Sequence, residues 1–217
     1  MRELILPALI VKSQHAAALV QGAPLPGGSL VYKTAECRGL RCDTEYRGAV
    51  AIFCSGSYDS SIDEHYIWWI AHCDKRKLVT PGEDRRVRDW CRESAKWRYT
   101  LMGFVRLTNS VRTVDVHSER ELKRLALAAT DYRIEWDPAV YLEVESLYAC
   151  ETPTKRPDLP RFDAACTGCH ADPPHNATAC HVNWQTVSLA PEVVPIQVRK
   201  EVGAWPTQRG KKVATAA

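Results

Sequence analysis

Apolar and polar positions along this chain follow two periods, and the change from one to the other marks out its elements. Residues 4–11, LILPALIV, form an unbroken apolar run closed by Lys12, the pattern of a buried strand. SQHAAALVQG follows as a short helix, with Ser13 as its N-cap and Gly22 as its terminator. GAPLPGG is made of turn residues, a second strand is expected over 30–37, and 46–55, YRGAVAIFCS, reads as a fully buried strand. Two helices come next, each opened by a capping box in which a Ser or Thr and a Glu three positions on satisfy each other's amides. Ser61 with Glu64 opens the first, whose Ile62, Tyr66, Trp69 and Cys73 recur at helical spacing. Thr80, Pro81 and Glu83 open the second, where Val87, Trp90, Cys91, Ser94 and Trp97 share a face.

Residues 99–108, YTLMGFVRLT, form a strand interrupted by Gly103, the mark of a bulge or of a close backbone approach. Ser118 and Glu121 make a third capping box, opening a helix striped by Leu122, Leu125, Ala126 and Ala129. Residues 139–150 are again strand-like, and after them the texture changes to a segment rich in Pro, Cys and His. Short helices alternating irregularly with about six strands, without a Gly-rich phosphate loop, predict an α+β domain or small mixed barrel rather than a doubly wound sheet.

Composition narrows the class without naming a function. With 217 residues, 45% hydrophobic and 25% charged, the chain suits one core with an appendage, and neither a disordered nor a fibrous protein. The N-terminal apolar run is far shorter than the roughly 20 residues that cross a bilayer, and it lacks the features of a signal peptide. A cytoplasmic protein without a membrane partner is therefore expected. Nine cysteines, an odd number, then point to core thiols or metal ligands rather than a disulfide framework.

The order of several short pieces carries more. KTAECR, 33–38, follows a glycine-containing loop; YRGAVAIFCS and the glycine-bearing LMGFVRLT come after it, then WDPAVYLEVESLYACETP and GAW at 203–205. This succession resembles the ASCH family of the PUA-like superfamily, although Val31 stands where that family usually keeps a glycine. The resemblance implies a PUA-like small mixed β-barrel flanked by short helices, with a cleft beside the K-x-x-E-x-R element suited to RNA, DNA or a modified nucleobase. On this reading residues 1–160 form the ASCH domain, completed by 199–208; 161–198 form a Cys/His-rich insertion; and 209–217 are a disordered tail. Some members hydrolyse acylated cytidine with a threonine where this chain has Glu36, assisted by a lysine and a distant glutamate. The resemblance then makes Lys33, Glu36 and Glu121 the catalytic candidates.

The residues themselves suggest how a cleft would work. On a strand, Glu36 and Arg38 fall on one face, and Lys33 at its start can turn toward either side. A glutamate fixed between two cations stays ionised and holds the arginine's fork, so Arg38 suits a phosphate or base edge and Glu36 an exocyclic amine. The alternative is a purely structural Glu36–Arg38 pair. Nine Lys or Arg against four acids lie within residues 75–98, with Trp90 and Trp97 between them. Arginines beside aromatic platforms hold single-stranded nucleic acid, which makes Arg88, Arg92, Trp90 and Trp97, with Arg47, candidate contacts. A core-facing tryptophan stripe with a solvated basic back explains the same pattern.

Finally, Cys166, Cys169, His175 and Cys180 differ by one residue from the zinc-knuckle spacing, and such N and S donors in a short loop suit tetrahedral zinc. His170 and His181 are alternative ligands, and knuckles bind single-stranded nucleic acid. His65 and His72 read as surface or interface residues. Three functions remain open: a module that binds RNA or another nucleic acid, a hydrolase of modified nucleosides, and a protein-interaction module that docks through its Trp-rich helices.

Overall fold

The computed structural model describes residues 4–42, 44–55, 58–74, 80–130, 139–155 and 185–202. Strand β1 (Leu4–Val11) leads into helix α1 (Ser13–Val20), then a small hairpin of β2 (Ala23–Pro24) and β3 (Leu30–Val31). Strands β4 (Ala35–Gly39) and β5 (Gly48–Cys54) precede helices α2 (Ser61–Cys73) and α3 (Pro81–Ser94). Long strand β6 (Thr100–Arg112), helix α4 (Glu119–Ala128) and strand β7 (Ala139–Lys155) follow, with β8 (Gln185–Leu189) and the short α5 (Ile196–Lys200) last.

Six strands form one mixed sheet in the order β4-β7-β6-β5-β1-β8. All neighbours pair antiparallel except β1 and β5, which run parallel with Ala8 opposite Ala51. The α+β class is as expected; the closed barrel is not, because β4 and β8 remain separate edges among the described residues. A small barrel fills its interior with side chains from its own strands. Here that face takes a helix instead: Leu9, Val50, Ile52, Met102 and Leu142 pack under Ala16, Ala17, Leu19 and Val20 of α1. The opposite face buries Leu6, Ile10, Phe53 and Phe104 with Val187, Leu189, Val194 and Val198. Residues 185–198, which the sequence assigns to the insertion, therefore belong to the core of the sheet.

Outside α1 lies a further layer, in which Ala18 meets Ile62, Tyr66, Trp69, Val87 and Cys91 of α2 and α3. Helix α3 starts as its sequence predicts, with Thr80 accepting from the Glu83 amide and the Glu83 carboxylate accepting from the Thr80 amide. Helix α2 does not, since Asp59 rather than Ser61 serves its first turn, accepting from the amide and hydroxyl of Ser61. At α4, Ser118 accepts from the Glu121 amide, but the Glu121 carboxylate turns to Arg124. The expected strand over 30–37 breaks at 32–34. There the Lys33 amide donates to Ala18 O, the Thr34 amide donates to Ala128 O, and Thr34 O accepts from the Val144 amide. This bridge ties α1, α4 and β7 together at one place, and it delivers Lys33 beneath α1.

Candidate functional site

Glu36 and Arg38 lie opposite Leu142 and Val140, so both side chains project from the sheet face that α1 covers. Charges on such a face are tolerated only when paired and hydrogen-bonded. Lys33 Nζ lies 2.5 Å from Glu36 Oε2, and Arg38 Nη2 lies 3.2 Å from Glu36 Oε1. The side chains of Lys33 and Glu36 are 2% and 7% exposed, and Arg38 Nη2 also donates to Ile10 O at 2.9 Å. The three charges predicted to meet do meet, as one buried cluster.

Their electrostatics follow from that geometry. Desolvation alone would raise the Glu36 pKa, but Lys33 and then Arg38 outweigh it and hold the carboxyl down at about 2. His15, from α1, places Nδ1 3.2 Å from Lys33 Nζ and 2.8 Å from the Tyr66 hydroxyl. Desolvation first, and the Lys33 charge second, push His15 down to about 3. The imidazole is thus neutral near pH 7, with Nδ1 as acceptor and its proton on Nε2.

Above this cluster opens a cavity of about 320 Å³. Lys33 and Glu36 are its deepest charged residues, His15, His65 and Thr130 stand in its wall, and Lys12 and Asp59 lie at its more exposed rim. The rim is itself an ion pair, with Lys12 Nζ 2.6 Å from Asp59 Oδ2. His65, read from sequence as a surface or interface residue, thus lines the cavity, while His72 is exposed and contacts Trp68 O.

Other candidates lie elsewhere. Arg38 supports Glu36 from behind and is not among the described residues that line the cavity. Glu121 sits about two turns back along α4 from Ala129, paired with Arg124 at 2.7 Å, so it is a surface carboxylate rather than part of this site. Arg47 donates to Thr44 O and Tyr46 O and lines a separate groove beside Arg106 and Lys200. On the basic helix, Arg88 pairs with Glu64 and Asp84, Arg92 with Asp89, and Lys96 with Glu93. Trp90 and Trp97 are half-buried against the core, and the Trp90 ring meets Tyr66 edge-on at a centroid distance of 5.2 Å. Packing thus accounts for both tryptophans. Lys75, Arg76 and Lys77, the zinc candidates Cys166, Cys169, His175 and Cys180, and the terminal GAW lie outside the described residues. Among the described residues no group of three or more His, Cys, Asp or Glu is gathered to hold a metal.

No sequence signal marks His15, Tyr66, Asp59 or Thr130 as members of this site. A lone histidine in an alanine-rich helix and a tyrosine on an apolar stripe show no pattern, and only the arrival of Lys33 beneath them gives them chemistry. Fold and site together define an open-sheet α+β domain with a cavity floored by a buried ion cluster. Compared with known proteins, the chain matches no family model and no curated protein. No helix among the described residues is long and apolar enough to cross a membrane.

Proposed function

We propose that the cavity receives a single base of RNA or of another single-stranded nucleic acid, a modified nucleobase or nucleoside included. The observation that carries this reading is the Lys33–Glu36 pair, buried at the cavity floor with a separation of 2.5 Å. It sets fixed N–H donors beside fixed carboxylate lone pairs, and base edges present acceptors and donors at neighbouring positions. A cavity of about 320 Å³ falls at the small end of ligand sites, which run from roughly 300 to 1,000 Å³. The resemblance of KTAECR and its flanking motifs to the ASCH family points to the same ligand class.

A hydrolase of acylated cytidine is the second reading, favoured by the contact of Lys33 with a histidine that stays neutral. Basicity weighs against it. A general base works best with a pKa near the operating pH, and Glu36 at about 2 and His15 at about 3 are both weak. Binding is therefore preferred over turnover. The test pairs RNA affinity with release of free acid from an N-acylated cytidine, for wild type and Lys33→Ala. Affinity lost in the variant, with no release by wild type, supports a binding module. Release by wild type that the variant loses establishes the hydrolase, and equal affinity with no release by either protein removes the cavity from both readings.

A further inference from the structure

The rim of the cavity carries a second ion pair, and contacts on both sides hold it in place. Asp59 Oδ1 accepts from the Ser61 hydroxyl at 2.6 Å and from the Ser61 amide at 3.0 Å, while Oδ2 accepts from Lys12 Nζ at 2.6 Å. The Asp59 backbone is fixed as well, since its carbonyl accepts from Nε2 of the buried Gln14 at 2.9 Å. The Lys12 donor first, and the Ser61 donors second, hold the Asp59 carboxyl well below the usual carboxylate range, so it is ionised at neutral pH. With side chains 37% and 36% exposed, this pair meets solvent where the floor pair does not.

Its hydrogen-bonding capacity is only partly used. A carboxylate oxygen has two lone pairs and an ammonium three N–H groups. Both lone pairs of Oδ1 are taken by Ser61, but among the described residues Oδ2 accepts one hydrogen bond and Lys12 Nζ donates one. What remains is an acceptor and a donor side by side, the complement of a hydroxyl, which both gives and takes a hydrogen bond. A phosphate is less well served: Asp59 repels it, and the charges of Lys12, Lys33, Glu36 and Asp59 around the cavity cancel.

A base seated on the Lys33–Glu36 floor carries its sugar outward, to the mouth. Within a strand the 3′ and 5′ oxygens are esterified, so the free sugar hydroxyl is the 2′ one, and DNA lacks it. Resting on the cavity's reading as a base-binding site, we infer that Asp59, held by Lys12, accepts a hydrogen bond from the ribose 2′-hydroxyl and makes the cavity selective for RNA over DNA. Only hydrogen bonds are formed, and no covalent step is involved.

The test measures wild-type affinity for three strands of one sequence. These are a short single-stranded RNA containing all four bases, its 2′-fluoro counterpart, which keeps the sugar's shape but has no 2′ donor, and the DNA counterpart with uracil retained. Phosphate contacts are common to all three, so they cancel in the comparison. RNA should bind about tenfold more tightly than either of the others, the weak end for a hydrogen bond to a charged group, because the pair is partly solvated. In Asp59→Ala, with melting temperature read alongside, that preference should disappear. Equal wild-type affinity for the RNA and its 2′-fluoro counterpart overturns the inference and leaves the binding reading standing, whether or not Asp59→Ala folds. A preference retained in folded Asp59→Ala does the same. A wild-type protein that binds none of the three strands overturns both.

Discussion

Lys33 and Glu36, three residues apart in sequence, form a 2.5 Å ion pair that is almost wholly buried, and the chain leaves its strand pairing at 32–34 to make it. Removing one partner of such a pair strands the other. Lys33→Met should cost about 3 kcal/mol of stability in denaturant unfolding, Arg38 still compensating part of the Glu36 charge. A loss within experimental error would mean that the pair is solvated.

Acid should weaken the fold in two steps. The folded pKa of His15, about 3, lies below its ordinary 6.5, so the unfolded chain takes up a proton that the native state refuses, and stability falls as pH drops from about 6.5 toward 3. That contribution should approach about 1.4 kcal/mol per pH unit, and it should vanish in His15→Gln. Glu36 is also depressed, to about 2 from an ordinary 4.5, so its contribution is complete above about 4.5 and disappears as pH falls through 2. Unfolding curves at closely spaced pH values for wild type, His15→Gln and Glu36→Gln separate the two.

Gly103 lies at a register shift between β6 and β7, and a Cβ placed there would come 2.2 Å from Tyr148 O. Backbone cannot give way as a side chain can. Gly103→Ala should therefore destabilise the fold by on the order of 3 kcal/mol, read by denaturant unfolding, whereas an alanine at Gly82, which has open space around it, meets no clash.

The pairing of the basic helix leads to a contrast between α3 side chains. Arg92→Ala should change RNA affinity less than twofold, because Arg92 is not among the described residues that line the cavity. Trp90→Ala should lower stability by about 2 to 3 kcal/mol, since its half-buried ring fills space between two parts of the core. If base stacking were the role of Trp90, affinity would drop with stability unchanged.

The zinc proposal is tested by metal analysis of the purified chain. One zinc per chain, lost in Cys169→Ser, is the expected result, and a wild-type protein without zinc would contradict it.

Much of this architecture could be read from local signals. The Thr80 capping box, the buried run at 48–54 and the interruption at Gly103 are each written within a few residues, and each appears where the pattern put it. What escaped depends on distant partners. QTVSL at 185–189 is short and follows a Pro/Cys/His-rich stretch, so nothing local marks it as the strand that pairs with β1. The first turn of α2 is met by Asp59, which accepts from the Ser61 amide and is itself held by Lys12 and, at its backbone carbonyl, by the buried Gln14. Of the site, the charge cluster was legible because KTAECR holds all three members within six residues. His15, Tyr66 and Thr130 come from three different helical segments, and only packing brings them together.

The central claim concerns what fills the cavity, and wild-type protein tests it without any substitution. In an NMR titration with a short single-stranded RNA containing all four bases, His15 and His65, which line the cavity, should shift with ligand, while exposed His72, about two turns further along α2, stays in place. Saturable RNA binding that leaves both cavity histidines unmoved, and shifts only the indole signals of Trp90 and Trp97, would contradict the account.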